Sequence, residues 1–517
     1  MIQGEEKEIR KGEHTMQITC PYCFEKFEDT DVHFRSEKMN TGECPDIPAD
    51  YDDYEDFMIN FRGPADKKNE IMQKCAEWNF FKEGVDEKYD DFWKRYGGTT
   101  TERLTPQKAS YRSKILDPKR AEHQNYLRQQ DGEYIKFVDG FATSITLSSG
   151  EICTQRVCPK CHNPLPNQYG KNESRFIAVI GVTGAGKTDY LSQLVYGFED
   201  YVAKAGLASL QTTDSPLIFR RNYPVNTRTP LPGATPPGQF LQPLFYDLSK
   251  TDAGGRRKVY TLVIYDVAGE NCDMEEAHSW FGPFIEHMQG VFLLIDPMQF
   301  KVIKGLADEG DMIEKGSPTS VLNAIHFSLS HGSNEKCDIP LAICISKSDM
   351  EIVQDVLEDD LVDALMDDIE EVTDESGRSV AAFNSKDYNP IAVKLHDFIR
   401  ENEKALEMFI NNNYSCYNYF AFSSLGCGVE DNIPEGPIMP KRIEEPLLWL
   451  FHKFNFIGAN PAVVEYGNPC PKCKSTLYRH KLIGEDRIVV TKRSLFGKPK
   501  EWVEYNYKCE QCQEYYN

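Results

Sequence analysis

The sequence lacks any run of about 18 apolar residues, the length that a membrane-spanning helix needs. Residues 1–14 are rich in charge and contain no apolar core of the kind that a secretory signal peptide carries. Internal repeats of solenoid period and low-complexity tracts are absent from the sequence too. We therefore expect a cytoplasmic protein without a membrane span.

Basic residues are in deficit: the chain has 58 Lys and Arg against 81 Asp and Glu, which gives a net charge of −23. This charge disfavours general attraction to nucleic acid or to an anionic membrane, so a nucleic-acid contact would need a local basic patch. The length of 517 residues exceeds what one hydrophobic core organises and indicates about three domains.

The segment Gly181–Thr188 fits the pattern G-x-x-x-x-G-K-[ST], the phosphate-binding loop of nucleoside triphosphatases. It follows the apolar run Phe176–Ile180 and precedes a helix-compatible stretch, Asp189–Phe198, as this motif requires. In such a loop the backbone N–H groups point at phosphates, Lys187 reaches the β- and γ-phosphates, and the Thr188 hydroxyl binds Mg²⁺. The residues predicted to bind the nucleotide here are Gly181, Gly184, Ala185, Gly186, Lys187, Thr188 and Asp189.

A second motif is the run Leu262–Glu270, which reads as a buried strand followed by Asp-Val-Ala-Gly-Glu. An aspartate at the end of such a strand holds Mg²⁺, usually through water, so Asp266 is the predicted second metal-site residue. Gly269 lets the backbone come close enough to contact a γ-phosphate.

Two further segments predict recognition of guanine. Ile345–Asp349 ends an apolar strand, and the Asp349 carboxylate can accept both the N1–H and the 2-amino hydrogens of guanine, which adenine does not present together. Lys347, next to Ser346, would lie along the base with its alkyl stem. After a sixth strand, Phe422–Gly426 offers backbone N–H groups to guanine O6. The candidates there are Ser423, Ser424 and Leu425.

These four segments, in this order, resemble the GTPase motifs of the translation-factor-related (TRAFAC) class of P-loop proteins. The resemblance covers residues 174–456 and implies a switch that binds GTP and Mg²⁺, hydrolyses GTP and signals to protein partners. Ser346 departs from the Asn or Thr that normally begins the base-reading motif. Glu270 stands where many relatives have a water-orienting Gln, so we expect slow hydrolysis without an activator. Lys187, Gly269 and Glu270 are the implied catalytic residues.

A switch threonine is expected before the second strand of this domain, in contact with Mg²⁺ and the γ-phosphate. The Pro- and Gly-rich segment 226–238 contains the candidates Thr227, Thr229 and Thr235, of which we favour Thr235 because it lies nearest the strand. Arg228 is either a solvated surface residue or an internal arginine finger.

Eight of the sixteen cysteines form four Cys-x-x-Cys pairs, a pattern typical of zinc knuckles that hold one ion per two pairs. The predicted zinc sites are Cys20, Cys23, Cys158 and Cys161 near the start of the chain, and Cys470, Cys473, Cys509 and Cys512 near its end. Cys20-Pro-Tyr-Cys23 also matches a glutaredoxin active site, which would need a helix start to activate a thiolate. The ribbon that runs through Cys158–Cys161 to Leu165-Pro166 and the phosphate loop resembles bacterial double-GTPase proteins suspected of roles in multi-gene defence systems.

The predicted organisation has three parts. Residues 1–169 form a zinc ribbon, with knuckles near 20–23 and 158–161 and a mostly helical insertion over about 40–150. Residues 170–456, where strands and helices alternate, form an α/β P-loop domain with a mostly parallel sheet. Residues 457–517 form a second zinc ribbon. The acidic segment Glu351–Gly377 has apolar residues at every fourth position, which indicates one amphipathic helix.

Two alternatives to a GTPase switch stay open at this point. One is an ATP-driven machine; the other is a nucleotide-binding scaffold with negligible turnover. In either case the C-terminal ribbon could contact nucleic acid through Lys492, Arg493, Lys498 and Lys500 beside aromatic residues.

Overall fold

The structure is a computed structural model of the full chain. It describes residues 16–95, 112–181, 184–232, 242–251, 255–268, 284–306, 317–330, 335–373, 377, 380–459 and 463–466, and short strands beyond residue 478. These residues divide into two compact units, 1–173 and 174–517. In the described part of the chain no helix combines the length and the apolarity that crossing a bilayer requires.

The first unit contains small antiparallel sheets and three longer helices. Its strands are β1 (Gln17–Thr19), β2 (Lys26–Glu28), β3 (His33–Arg35), β4 (Ile115–Leu116), β5 (Leu127–Arg128), β6 (Ile135–Val138), β7 (Phe141–Leu147), β8 (Ile152–Cys153) and β9 (Gln155–Val157). Its helices are α1 (Tyr54–Asn60), α2 (Ala65–Phe80), α3 (Glu87–Arg95) and the short α4 (Ala121–Gln124). β1 pairs with β2, β3 lies between β4 and β9, and β7 pairs with β5, β6 and β8.

The predicted helical insertion is helical in its first half and stranded in its second. Helices α1 to α3 cover most of residues 54–95, and α3 buries Tyr89, Phe92 and Trp93 on one face. From residue 127 onward the chain forms β5 to β8 instead. Strand β7 is almost entirely buried although half of it is Thr, Ser or Ala, because sheet partners lie on both sides. Its larger apolar residues, Phe141, Ile145 and Leu147, lie on one face of the strand, and Ala142, Ser144 and Thr146 lie on the other.

The second unit is built on one seven-stranded sheet. Its strands are β10 (Glu173–Gly181), β11 (Ala208–Gln211), β12 (Leu244–Thr251), β13 (Arg257–Ala268), β14 (Gly290–Ile295), β15 (Leu341–Ile345) and β17 (Tyr417–Ala421). The strand order is β11-β12-β13-β10-β14-β15-β17, and β10, β14, β15 and β17 pair in parallel. Strands β14, β15 and β17 are buried along their whole length, as expected for a sheet covered on both faces. The predicted α/β fold with a mostly parallel sheet is confirmed.

Helices and short strands surround this sheet. The helices are α5 (Lys187–Lys204), α6 (Ser215–Asn222), α7 (Lys301–Lys304), α8 (Pro318–Ser330), α9 (Glu351–Gln354), α10 (Asp359–Met366), α11 (Ser385–Asn402), α12 (Lys404–Asn413) and α13 (Glu445–Lys453). The short strands are β16 (Ala382–Phe383), β18 (Val429–Glu430), β19 (Ile433–Pro434), β20 (Gly458–Ala459) and β21 (Val464–Glu465). Helix α13 is packed in the second unit, with Leu447, Trp449 and Leu450 fully buried.

The acidic segment differs from the single helix that its periodicity predicted. Helix α9 ends at Gln354 and α10 begins at Asp359, so the helical part is broken before the Glu358-Asp359-Asp360 run. Acidic residues in a first turn are stabilised by the helix dipole, whereas the same residues inside one long helix would repel each other. Val353, Leu361 and Leu365 are nevertheless buried, as the pattern indicated.

The last strands of the chain are β22 (Arg479–Lys481), β23 (Arg487–Lys492), β24 (Lys500–Tyr505), β25 (Tyr507–Lys508) and β26 (Tyr515–Tyr516). Strands β23 and β24 pair antiparallel in the register expected of a hairpin. This hairpin lies between the two C-terminal cysteine pairs in sequence.

Candidate functional site

The phosphate loop connects the buried strand β10 to helix α5. Gly184 and Gly186 have φ angles of 82° and 68°, a left-handed conformation that L side chains rarely adopt. Gly186 is the residue before the helix, so the turn presents the first backbone N–H groups of α5 at the end of β10. Together with the positive end of the helix dipole, this arrangement suits an anion.

A cavity of about 800 Å³ lies beside this loop. Its lining joins residues from three of the four predicted nucleotide motifs. They are Gly181, Gly184, Ala185, Gly186, Lys187, Thr188 and Asp189 from the phosphate loop, Ser346, Lys347 and Asp349 after β15, and Ser424 and Leu425 after β17. Because β10, β15 and β17 belong to one run of parallel strands, their carboxyl ends meet at the same edge of the sheet, which is where open α/β sheets bind ligands.

Lys187 and Asp266 form a buried ion pair at this edge. Lys187 Nζ lies 2.8 Å from Asp266 Oδ1, and both side chains are more than nine-tenths buried. Asp266 is near the end of β13, so the Asp-Val-Ala-Gly-Glu motif adjoins the phosphate loop through this contact. Thr188, the next residue of the loop, is also buried.

Lys347 follows β15 in a left-handed conformation with φ of 56°. Its Nζ lies 3.4 Å from Oδ2 of the fully buried Asp296, which ends the neighbouring strand β14 and accepts a hydrogen bond from Met298 N–H. Asp296 therefore fixes the lysine beside the phosphate loop. Sequence reasoning missed Asp296, although an aspartate directly after a buried apolar strand was a signal that could have found it.

Ser346 and Ser423 hold the two base-side loops in place. Ser346 Oγ donates to Ile295 O at 3.1 Å, so the hydroxyl that replaces the usual Asn or Thr ties β15 to β14. Ser423 is fully buried, and its Oγ accepts a 2.8 Å hydrogen bond from Gly426 N–H. Of the three candidates for contact with guanine O6, Ser424 and Leu425 line the cavity.

Asp189 brings a second carboxyl group to the cavity wall. Burial raises its pKa to about 6, and the nearby Lys347 ammonium opposes this increase. Asp189 directly follows Thr188 in the first turn of α5, so its position relative to the phosphate loop is fixed by the helix.

Leu231 and Asn432 line the cavity and are joined by two hydrogen bonds, which we call the clasp. Leu231 N–H donates to Asn432 O at 2.7 Å, and Asn432 Nδ2 donates to Leu231 O at 3.1 Å. Asn432 lies in the turn between β18 and β19, where Asp431 and Asn432 both have positive φ angles.

Comparisons with known proteins agree with this geometry. Residues 175–402 match the model of the family Double-GTPase 2. A curated relative, named "Putative ESX-1 scaffolding and assembly protein SaeC" from Mycolicibacterium smegmatis, is 28% identical over 208 residues, which cover 38% of this chain and 51% of that protein. The chain thus spans about half the length of this relative.

Two solved structures of sup35 are also similar, one complexed with GMPPNP and one with GDP. They are 10% and 11% identical, each comparison covers 66% of both chains, and the TM-scores are 0.23 and 0.20. TM-scores this low imply nothing about function.

The matched segment, residues 175–402, is a P-loop GTPase domain of the double-GTPase type. The match begins within β10 and includes the phosphate loop, Asp266 and Asp349. Family and fold together support GTP binding by the double-GTPase domain.

Several predicted residues of the double-GTPase domain lie outside the described residues, namely Thr235, Gly269 and Glu270. The other switch candidates are described. Thr227 and Thr229 are exposed, and Thr229 Oγ1 accepts from Asn226 Nδ2 at 2.9 Å. Arg228 is exposed too, with its N–H bonded to Asn226 Oδ1. This local turn involves none of the described cavity-lining residues.

The first of the two predicted zinc sites lies in the first unit. The Sγ atoms of Cys20, Cys23, Cys158 and Cys161 all lie within 4.8 Å of one another. The Cys20–Cys161 and Cys23–Cys158 Sγ distances are both 3.7 Å. Four sulfurs around one ion at about 2.3 Å would be roughly 3.8 Å apart in a tetrahedron, so the cluster fits zinc.

The two cysteine pairs of this site have the same backbone turn. Phe24 N–H donates to Cys20 O and His162 N–H to Cys158 O, both at 3.0 Å, and both donors have positive φ angles. Backbone N–H groups of Tyr22 and Lys160 each point at a cysteine sulfur, at 3.4 Å. Such bonds stabilise thiolates. Strand β2 rather than a helix follows Cys23, which disfavours the glutaredoxin interpretation.

His162 lies beside this knuckle, and its side chain is mostly buried, with Nδ1 2.7 Å from Asp86 Oδ1. The second predicted cysteine site, Cys470, Cys473, Cys509 and Cys512, lies outside the described residues.

Proposed function

We propose that this chain is a guanine-nucleotide switch that binds GTP with Mg²⁺, hydrolyses it slowly without an activator and acts through protein partners. The observation that carries the proposal is the single cavity lined by the phosphate loop, Lys347, Asp349 and Leu425. A nucleoside phosphate fits such a cavity, because the phosphate loop suits phosphates and the loops after β15 and β17 offer a carboxylate and backbone N–H groups for a base.

Asp349 is the proposed reader of guanine. Its carboxylate would accept the N1–H and 2-amino hydrogens, while the alkyl stem of Lys347 would lie along the ring, held by Asp296. Leu425 or Ser424 would donate a backbone N–H to O6. ATP presents none of this donor pattern, so the assignment favours GTP.

Thr188 and Asp266 are the proposed residues for Mg²⁺. A hydroxyl and a carboxylate are oxygen ligands of the type that Mg²⁺ prefers. Thr188 lies in the first turn of α5, and Asp266 lies near the end of β13, the strand beside β10. When bound, Mg²⁺ would neutralise charge on the β- and γ-phosphates. Lys187, now paired with Asp266, would turn to the phosphates and stabilise charge there, while Gly269 and Glu270 would contact the γ-phosphate and position water.

The test is a change of base preference. In a direct titration, wild-type protein should bind GDP far more tightly than ADP, and Asp349→Asn should shift the preference toward xanthosine diphosphate. The amide reverses the hydrogen-bond demand at the base, so binding of xanthine is a gain that damage to the fold would not produce. Equal affinity of the wild type for ADP and GDP would show that the base-reading assignment is wrong.

A nucleotide-binding scaffold with negligible turnover is the second candidate. The relative SaeC favours it, because the name of that protein describes scaffolding and assembly. Single-turnover hydrolysis of bound GTP separates the two: the switch should convert it to GDP over minutes to hours, whereas the scaffold should release it unchanged. Turnover of many GTP molecules per second by the isolated chain would contradict both, since activated relatives gain about 10³–10⁵ in rate only with their partner.

The partners themselves are proposed to be proteins. The resemblance to bacterial double-GTPase proteins supports a role in a multi-gene defence system. The name of the SaeC relative supports a role in an assembly process instead. Proteins that copurify with the GTP-loaded but not the GDP-loaded chain would identify the effector.

A further inference from the structure

The first unit contains a cleft of about 440 Å³ between the start of α3, strand β4 and helix α4. Five cationic side chains line it: Lys82, Lys88, Arg112, Lys114 and Arg120. We call these residues the cationic cleft. Its sign is opposite to that of the chain as a whole, which has a net charge of −23.

One of the three carboxylates that line the cleft is already neutralised. Asp86 lies 2.7 Å from the buried guanidinium of Arg35 and 2.7 Å from His162 Nδ1, and its Oδ1 accepts a hydrogen bond from Tyr89 N–H at the start of α3. This network fixes the cleft floor. It leaves Glu87 and Asp117 as the acidic residues that face the five cations.

The cations are available to an added anion. Arg112 pairs with Glu83, Arg120 with Glu122 and Lys82 with Glu43, and the basic side chains in these pairs are 60%, 58% and 40% exposed. Exposed pairs of this kind contribute little stability, so a phosphate with two charges can replace the carboxylates. Lys114 Nζ lies 4.8 Å from the Phe80 ring centre, which holds the ammonium over an aromatic face without neutralising its charge.

The surroundings of the cleft favour a compact ligand over a long one. Glu43, Glu83 and Glu122 form an acidic rim beside the cations with which they pair. A nucleic-acid strand that crossed this rim would meet repulsion on each side, whereas a single phosphate group inside the cleft would meet cations. A volume of about 440 Å³ is also in the range of small-ligand sites, about 300–1,000 Å³.

We propose that the cationic cleft binds a small phosphate monoester, no larger than a mononucleotide. Lys114 and Arg120 contribute most of the attraction, with Lys88 and Arg112 at the sides. This site is separate from the nucleotide cavity, since all its residues belong to the first unit.

Isothermal titration of the full chain with ribose 5-phosphate tests the proposal. Both test and control proteins carry Lys187→Ala, so that the phosphate loop does not contribute. The cleft variant adds Lys114→Glu and Arg120→Glu. The matched control adds Lys67→Glu and Lys136→Glu, the same change of charge at exposed positions of the same unit outside the cleft.

Ribose 5-phosphate should bind the Lys187→Ala chain and the matched control with equal affinity. Its affinity for the cleft variant should be lower by about tenfold or more. Uncharged ribose should bind none of them. Arg120→Ala, which removes a single exposed side chain, should show a smaller loss and guards against a folding defect in the double variant. Absence of binding at millimolar ribose 5-phosphate, or an equal loss in the control, would overturn the proposal. So would tight binding of a single-stranded RNA that the cleft variant alone abolishes, because the ligand would then be nucleic acid.

Discussion

Single residues in the nucleotide cavity are held by buried polar contacts rather than by packing alone. Lys187 pairs with Asp266, Lys347 with Asp296, and Ser346 with the carbonyl of Ile295. In each case the partner lies on the next strand of the sheet or at its end. The chemistry of the site and the cohesion of the sheet edge therefore depend on the same side chains.

Lys187→Ala should abolish nucleotide binding and also lower the melting temperature of the free protein. Removal of Lys187 takes a cation away from the buried Asp266 carboxylate, and breaking a buried pair costs about 3–5 kcal/mol. The double variant Lys187→Ala with Asp266→Ala should recover part of the lost stability but none of the binding. Thermal unfolding and titration with a fluorescent GDP analogue measure the two effects. A double variant no more stable than Lys187→Ala would show that the unpaired Asp266 carboxylate is not the cause of the lost stability.

At this scale the sequence identified the residues that its motifs contain and missed those that support them. Lys187, Asp266 and Asp349 were predicted because each has a required residue type at a required spacing. Asp296 follows an apolar strand but has no required spacing to a motif, and it supports Lys347 because β14 lies beside β15. Asn432 lines the cavity from the turn between β18 and β19, which no motif indicates.

Helices and strands could be predicted from the sequence where one face of the element, or all of it, is buried and apolar. The apolar runs correctly indicated β10, β14 and β15, all of which are buried in the sheet. Strand β11 was missed because it is a four-residue edge strand with exposed residues, including Leu210. Strand β7 was missed because it lies in the segment predicted to be a mostly helical insertion, and small or polar residues separate its apolar ones. Sheet neighbours rather than intrinsic preference decide such strands.

We predict that the hairpin of β18 and β19 slows nucleotide release through the contact of Asn432 with Leu231. This prediction rests on the proposed function. Asn432→Gly removes the side-chain donor to Leu231 O and keeps a residue that tolerates the positive φ of 62°. One hydrogen bond is worth about 0.5–1.5 kcal/mol, so GDP should dissociate roughly 2–10 times faster. Release of a fluorescent GDP analogue, chased with excess GDP, measures this rate.

Asp431→Gly is the matched control for the clasp, because Asp431 precedes Asn432 in the same turn and also has a positive φ. It should leave the dissociation rate near the wild-type value. An equal acceleration in both variants would mean that flexibility of the turn, and not the contact with Leu231, controls release.

The whole molecule combines a GTPase-type unit with a cysteine cluster in a separate compact unit. In the first unit the sheets are small: β1 and β2 pair over three residues, and so do β3 and β9. Small sheets bury little apolar area, so we expect a structural metal at the cysteine cluster to substitute for core. The cysteines at both ends of the unit, separated by more than one hundred residues, would be joined by one ion.

The last prediction concerns zinc in the whole chain, which should contain two ions. Replacing Cys158 and Cys161 with serine should remove one ion and unfold much of the first unit, because zinc binding supplies about 10–16 kcal/mol to small domains that fold around it. Replacing Cys509 and Cys512 should remove the other ion and leave GDP affinity nearly unchanged, because these residues lie far along the chain from the matched double-GTPase segment at 175–402. Elemental analysis gives the zinc content, limited proteolysis shows which unit opens, and GDP titration reports on the nucleotide cavity. Wild-type protein that contains no zinc after purification under reducing conditions would overturn the predicted ribbons, and one ion per chain would remove the C-terminal site alone.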